Sequence, residues 1–286
     1  NFDIFTSEFI LLLPMLRIII FSIIFISLMG LSFYFIISSN LKTRVNKVSL
    51  EIEDLVLNKD QQPISLKLGV IGDTHTPENN KSYTELIKVL SEVNKYELDL
   101  LLFVGDYTNN PRKVLDFNKH RSKLVKILTS VPNKPSVFIL GNYETWSKPV
   151  NWINEFNKQN ANILENEISI LSLSSTDICI RGLADFYTNR LKYVEFPEIC
   201  KNKPKITITH DPAGAFHYKI KGFVVSGHTH CGQISFPFIG QIWIPSEVPR
   251  EAHCGLYKDN QKTVFTTSGI GTTILPIRIG TQSEWD

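Results

Sequence analysis

From residue 66 onward the chain repeats one pattern. A short, mostly apolar run gives way to a few polar residues, and then to a longer stretch whose apolar residues recur every three or four positions. The runs at 66–71, 98–104, 136–140, 206–209 and 223–226 are the length of strands and are bounded by turn residues, so they read as buried strands. Helical periodicity appears in 82–95 (Leu86, Val89, Leu90, Val93), in 112–128 (Val114, Phe117, Leu124, Ile127, Leu128) and in 149–159 (Trp152, Ile153, Phe156), with Ser82 suited to capping the first. Residues 45–57 alternate in part and read as an edge strand, and 59–63 as a turn. Residues 163–173 and 178–180 read as antiparallel strands, and 241–279 is strand-like with Gly and Pro turns. Strand–helix alternation followed by several strands predicts an α/β fold of two packed β-sheets flanked by helices.

The N-terminus follows a different pattern. Residues 18–41 carry no charge, and 18–37 are almost all Ile, Leu, Phe, Met and Tyr. About 20 apolar residues cross the hydrocarbon core as a helix. A buried core helix or a cleaved signal peptide would share this composition, but the run exceeds a signal peptide's apolar region and no small-x-small cleavage site follows it. The expectation is a membrane segment over 1–44, with a transmembrane helix at about 18–38, and a single folded domain over 45–286. Residues 1–13, with the apolar run Ile10-Leu11-Leu12-Leu13, fit the tail of an earlier membrane segment, and what precedes Asn1 is left open. Lys42, Arg44 and Lys47 follow the span, whereas Arg17 alone precedes it, among Asp3 and Glu8. The positive-inside rule then places the domain on the cytoplasmic face.

Composition adds two limits. A net charge of +2 and a pI of about 8.3 give no support for a nucleic-acid binder. None of the four cysteines (Cys179, Cys200, Cys231, Cys254) falls in a C-x-x-C pair, so they read as free thiols, which favours a reducing compartment weakly.

The chemistry sits where the apolar runs stop. Five of them end in Gly72-Asp73-Thr74-His75, Gly105-Asp106, Gly141-Asn142-Tyr143-Glu144, His210-Asp211-Pro212 and Gly227-His228-Thr229-His230. Sites in α/β sheets form at the carboxyl ends of strands, and glycine permits the tight turn a strand exit needs. Carboxylate, amide oxygen and imidazole suit Mn, Fe, Co or Zn. Seven candidate ligands (Asp73, His75, Asp106, Asn142, His210, His228, His230) exceed the needs of one ion and suit two that share a bridging carboxylate.

In that order on strand ends, D-x-H, G-D, G-N-x-E, a lone H and G-H-T-H resemble the calcineurin-like metallophosphoesterases over about residues 64–275. Further runs are similar to a membrane-associated branch of that family, which includes bacterial phosphodiesterases and a UDP-2,3-diacylglucosamine pyrophosphatase of lipid A synthesis. They are Cys231-Gly232-Gln233, Pro237-Phe238-Ile239-Gly240, Ser268-Gly269-Ile270-Gly271-Thr272 and Pro276-Ile277-Arg278. The resemblance implies a four-layer α-β-β-α sandwich and two divalent metals, manganese favoured over iron or zinc. Asp73, His75 and His230 would hold one, Asn142, His210 and His228 the other, with Asp106 bridging. It implies hydrolysis of a phosphodiester or pyrophosphate bond in a phosphate-containing small molecule or lipid-linked substrate, with water acidified by the metals as the nucleophile. A general membrane phosphodiesterase and a non-catalytic scaffold of the same fold are the alternatives.

One position departs from the family. The residue after the motif asparagine is usually histidine, which stabilises the transition state or protonates the leaving oxygen; here it is Tyr143. With an ordinary pKa of about 10, tyrosine donates a hydrogen bond but is a poor proton shuttle at neutral pH. Either the enzyme is weak, or its leaving group needs little protonation, as a phosphate monoester leaving from a pyrophosphate does. His217 and His253 are spare acids by type and read as surface histidines. The basic residues Arg112, Lys113, Lys119, His120, Arg121, Lys123 and Lys126 fit a solvated helix face or contact with an anionic group. Phe236, Phe238, Ile239, Ile242, Trp243 and Ile244 fit core packing or an apolar rim that meets acyl chains.

Overall fold

The computed structural model describes residues 3–40, 42–50, 65–130, 132–236 and 238–286. An N-terminal helix α1 (Asp3–Asn40) contains an apolar stretch, Met15–Tyr34, long enough to cross a membrane, and none of it is buried by protein. Residues 3–13 therefore continue this helix, where the sequence suggested a separate earlier segment. Strand β1 (Arg44–Val45) follows closely and pairs with the last strand, β14 (Glu284–Trp285). The expected edge strand over 45–57 is realised only in this pairing; its part from 51 on, and the turn at 59–63, lie outside the described residues.

Two sheets pack face to face. The first is parallel, in the order β2 (Leu68–Ile71), β3 (Leu100–Phe103), β4 (Ser136–Phe138) and β5 (Asn162–Ile163). The second has six strands: β12 (Gly255–Lys258), β13 (Lys262–Thr266), β9 (Gly222–Ser226), β8 (Lys205–Ile208), β7 (Asp177–Gly182) and β6 (Glu167–Ser172). The β6–β7 pair is antiparallel, as the sequence suggested, while β7, β8, β9 and β13 run parallel.

Side-chain alternation along β3 shows how the layers divide. Leu100 and Leu102 face the second sheet, meeting Ile178, Ile180, Ile206, Ile208 and Val225. Leu101 and Phe103 face α2 (Asn80–Val93), α3 (Phe117–Ser130) and α5 (Pro149–Lys158) through Leu90, Leu128, Trp152 and Phe156. Full burial of each such side chain is worth about 1.5–3 kcal/mol. A smaller cluster, with Leu183, Ala215, Ile220 and Val264, covers the outer face of the second sheet. The expected α-β-β-α layering is therefore present.

Local boundaries shift for identifiable reasons. Asn79, rather than Ser82, caps α2; its side chain accepts the Ser82 N–H at 2.8 Å. The basic helix begins later than expected, because Pro111–Lys113 forms a separate 3-10 turn. His120 and Arg121 are buried, so this face is not uniformly solvated: His120 lies between Tyr83 Oη (2.6 Å) and Thr108 Oγ1 (3.0 Å).

The cysteines correct the sequence reading. None is free: Cys179 pairs with Cys200, and Cys231 with Cys254. The partners lie 21 and 23 residues apart in sequence, so no short-spacing motif announced them, but folding brings their Cα atoms to 6.0 and 4.7 Å, inside the bridging range. Each bond is expected to contribute about 2–4 kcal/mol. Reduction should lower the melting temperature by on the order of 5–10 °C in scanning fluorimetry. Thiol titration of denatured, unreduced protein should find no thiols; four would overturn the pairing.

Candidate metal centre

Every candidate ligand leaves a strand at the same end of the sandwich. Asp73 and His75 follow β2, Asp106 follows β3, Asn142 opens the short helix α4 (Asn142–Trp146) after β4, His210 follows β8, and His228 and His230 follow β9. All seven are buried. Glycine has two separate jobs here. Gly105 has φ +95°, a conformation side chains rarely adopt, and a Cβ there would lie 2.5 Å from Gly141 N. Gly141 has an ordinary φ but stands so close to the Asp106 loop that a Cβ would lie 2.6 Å from Asp106 N. The turn argument from sequence holds for the first and proximity explains the second. Asp73, His75, Asp106, His228 and His230 themselves have φ between 41° and 69°, so five of the seven candidates sit in the left-handed region, which most side chains avoid but Asp and His enter more often.

The side chains converge in two groups. Asp73, His75 and His230 each place a ligand atom within 4.8 Å of the others, and so do Asp106, His210 and His228. The His75 and His230 Nε2 atoms face each other at 3.0 Å, with Asp73 Oδ1 at 4.0 and 3.6 Å. In the second group His210 Nε2 lies 3.2 Å from His228 Nδ1 and 3.1 Å from Asn142 Oδ1. One atom joins the groups: Asp106 Oδ2 is 3.5 Å from His75 Nε2 and 3.4 Å from His210 Nε2.

Backbone partners fix which nitrogens point inward. His210 Nδ1 faces Val104 O at 2.7 Å, and His228 Nε2 faces Pro245 O at 2.6 Å. A carbonyl only accepts, so these nitrogens carry protons, and His210 Nε2 and His228 Nδ1 are the ones turned inward. Burial drives His75 down to about 4, although Asp106 favours its charged form. Burial, then the charges of His75 and Arg278, hold His230 well below its usual range. Burial raises Asp73 to about 7 against the pull of His210. At Asp106 burial pushes the same way, but His210 and His75 overcome it and hold the carboxyl at about 2. The donor set fits two divalent cations: imidazoles that converge at contact distance, His75 and His230 held low, a carboxylate between the groups that stays ionised and, against burial, raises His210 well above its usual range, and the Asn142 amide oxygen beside His210.

Two residues the sequence reading passed over hold the frame. Glu144 is fully buried, and its carboxylate accepts the N–H groups of Asp106 (2.9 Å), Tyr107 (2.9 Å), Thr108 (3.0 Å) and Gly141 (3.0 Å). It thus ties the Asp106 loop to the Asn142 helix. The motif G-N-x-E showed it; its role was hidden because its partners are backbone groups of another strand exit. Arg278 is also fully buried. It donates to Ser268 O, Gly269 O and Gly271 O and lies 3.2 Å from His230 Nδ1.

A cleft of about 160 Å³ opens over both groups, lined by Asp106, Asn142, His228, His230, Tyr143, Trp146, Tyr187, Trp243, Thr273 and Ile274. The lining is aromatic and contains no Lys or Arg among the described residues. Tyr143 packs edge-on to His75, with ring centroids 4.6 Å apart, and its hydroxyl meets Thr273 Oγ1 at 2.7 Å. Burial raises its pKa, against the Thr273 hydrogen bond, so it stays protonated at neutral pH. His217 and His253 are absent from the cleft lining. His217 is on the surface as expected, but His253 is buried, with Nδ1 against Arg250 O. Phe238, Ile239, Ile242 and Trp243 are exposed and form a rim, whereas Ile244 is half-buried against Ala213, Val248 and Ala252, so the stretch divides between the two readings.

A model of the calcineurin-like phosphoesterase family matches residues 66–232. The chain is 26% identical over 272 residues to a Danio rerio "transmembrane protein with metallophosphoesterase domain", covering 89% of this chain and 59% of that protein. It is 29% identical over 281 residues to an "uncharacterized metallophosphoesterase" of Campylobacter jejuni, covering 93% and 68%. A solved structure of a dimetal phosphatase from Danio rerio aligns with a TM-score of 0.48 at 11% identity, over 71% of this chain and 87% of that one.

Proposed function

We propose, because the chain belongs to the calcineurin-like phosphoesterase family, that it is a metal-dependent hydrolase of phosphoric esters or anhydrides. Asp73, His75 and His230 would hold one divalent ion, Asn142, His210 and His228 a second, and Asp106 would bridge them. The single observation that carries this reading is Asp106 Oδ2, which lies within 3.5 Å of ligand atoms from both groups. When bound, two such ions supply Lewis acidity to a phosphoryl oxygen and acidify water to a nucleophile.

The chain's own residues supply orientation. His210 and His228 are locked by carbonyl partners with Nε2 and Nδ1, respectively, turned inward. The aromatic side chains of the cleft offer faces for stacking, and with no Lys or Arg in its described lining the substrate's negative charge would be met by the metals. The Tyr143 hydroxyl donates a hydrogen bond toward the leaving oxygen without giving up its proton. Plasma emission analysis of the purified chain should find two divalent ions per molecule, with hydrolysis of an aryl phosphodiester lost on chelation and restored by Mn²⁺. One ion or none in active protein would overturn the reading.

In its finer form the protein is membrane-anchored through Met15–Tyr34 and cleaves a pyrophosphate bond in a lipid-linked nucleotide sugar of the UDP-2,3-diacylglucosamine kind. The apolar span and Tyr143 support this: a leaving phosphate monoester departs as an anion, whereas an alkoxide needs an acid. Tyr143→Phe is expected to lower hydrolysis of an alkyl diester by about tenfold and of a pyrophosphate by less. Equal effects on both, or none, would remove the argument. For the side of the membrane two observations conflict. Lys42, Arg44 and Lys47 favour the cytoplasm, while two cystines favour an oxidising compartment. The cystines weigh more, since pairing every cysteine requires an oxidant, whereas the charge rule compares flanks on both sides of the span.

A further inference from the structure

We infer that the lips of the cleft dock on the lipid bilayer, so that the metal centre meets the phosphate of an amphiphile lying in the membrane. One lip is the hairpin of β10 (Ser235–Phe236) and β11 (Gly240–Gln241). Phe238 and Ile239 at its tip are 108% and 73% exposed, and Ile242 and Trp243 beyond it 65% and 54%. The facing lip carries Ile274 and Leu275, 77% and 49% exposed. No charged residue occurs in 234–245. Isolated exposed apolar residues are ordinary, but six flanking one cleft form a patch of the kind that marks an interaction surface.

The two lips share one frame. Gln233, at the base of the hairpin, donates to Thr273 O (3.1 Å) and Leu275 O (2.9 Å) and accepts from Thr273 N (2.8 Å). Ser235 N donates to Ile279 O at 2.7 Å. Trp243 and Ile274 also line the cleft, so patch and site are continuous. Ile274 is held at φ +58°. A β-branched residue there is strained, and the strain presents it to solvent instead of burying it.

The chain itself names the occupant. Helix α1, read above as the membrane anchor, ends at Asn40, and Arg44 already pairs with Glu284. Thr43 Oγ1 lies 3.0 Å from Ser283 Oγ, and Ser283 donates to Ile270 O. Four extended residues reach at most about 14 Å, so the domain is fastened close to the helix end. The segment that receives it, 268–286, is the one that carries Ile274 and Leu275. Trp243 at the patch edge is the residue type enriched where protein meets headgroups.

The inference rests on the anchor reading, and the test separates the two. All four tryptophans (Trp146, Trp152, Trp243, Trp285) lie outside the span, so their fluorescence reports on the domain alone. The full chain would be reconstituted into phosphatidylcholine vesicles with or without bromine on the upper acyl carbons. Bromolipid is expected to quench the wild type, Trp243→Phe to lose most of the quenching, and Phe238→Glu with Ile239→Glu to abolish it at unchanged melting temperature and unchanged hydrolysis of a soluble aryl diester. A chain washed off the vesicles by alkaline carbonate overturns the anchor and the docking together. A retained chain without quenching overturns the docking alone. A Trp243 shielded from aqueous acrylamide yet unquenched by bromolipid also overturns it, and points to a second copy on the patch. Loss of aryl diester hydrolysis in the wild type would sink the phosphoesterase reading without touching this one.

Discussion

Asp106→Ala is expected to lower kcat/KM by about 10³-fold or more and to leave the purified protein with fewer than two divalent ions. The carboxylate is the one group that both donor sets share, through a single oxygen at 3.5 and 3.4 Å. The other groups cannot replace it, because His75 and His210 reach it from opposite sets. Asp106 also accepts the Tyr143 N–H at 2.9 Å through Oδ1. The alanine variant therefore mixes a loss of charge with a loss of local order. Asp106→Asn separates them, since its amide oxygen keeps that hydrogen bond. The asparagine variant should melt within a few degrees of the wild type and still lose metal and activity. Two tightly held ions in either variant would show that Asp106 does not bridge.

The second large effect is on stability. Glu144→Ala is expected to cost about 3–5 kcal/mol, as removing one partner from a buried charged group does, and to lower the melting temperature by on the order of 10 °C. The carboxylate accepts four backbone N–H groups from two loops, and a methyl group would leave all four without acceptors in a dry interior. Burial, and then the charge of Asp106, push Glu144 up to about 7, and its backbone hydrogen bonds act in the opposite direction. Glu144→Gln keeps an acceptor oxygen but turns an amide N–H toward donors, so it should fall between alanine and wild type. Activity should fall with stability, because the two loops carry Asp106 and Asn142. A Glu144→Ala protein that melts with the wild type would show that water replaces the carboxylate at no cost.

The strand ends were legible because a parallel strand buried on both faces must be apolar throughout, so the first polar residues after it mark the edge where ligands gather. Asp73, His75, Asp106, Asn142, His210, His228 and His230 were all found this way, and the structure brings all seven together. The groups that hold them were less visible. Glu144 and Arg278 act on backbone atoms that any residue would present, so no side-chain pattern betrays their partners. Cystine pairing depends on which loops meet, and Cys231 and Cys254 meet only after 23 residues of chain have turned back. The stretch 236–244 stayed ambiguous because an apolar run reads alike whether it faces a core or a solvent-side opening. Its exposure is set by the hairpin at 235–241, which periodicity does not show.

The left-handed backbone at Asp73, His75, Asp106, His228 and His230 has an evolutionary corollary. Aspartate and histidine enter this region more readily than most side chains but less readily than glycine, so each holds its place at a modest conformational cost. A descendant released from catalysis would relieve that cost by drifting to Gly at these positions. Its loss of function would then be written first in the turns after β2, β3 and β9, while the packed faces of both sheets stayed as they are.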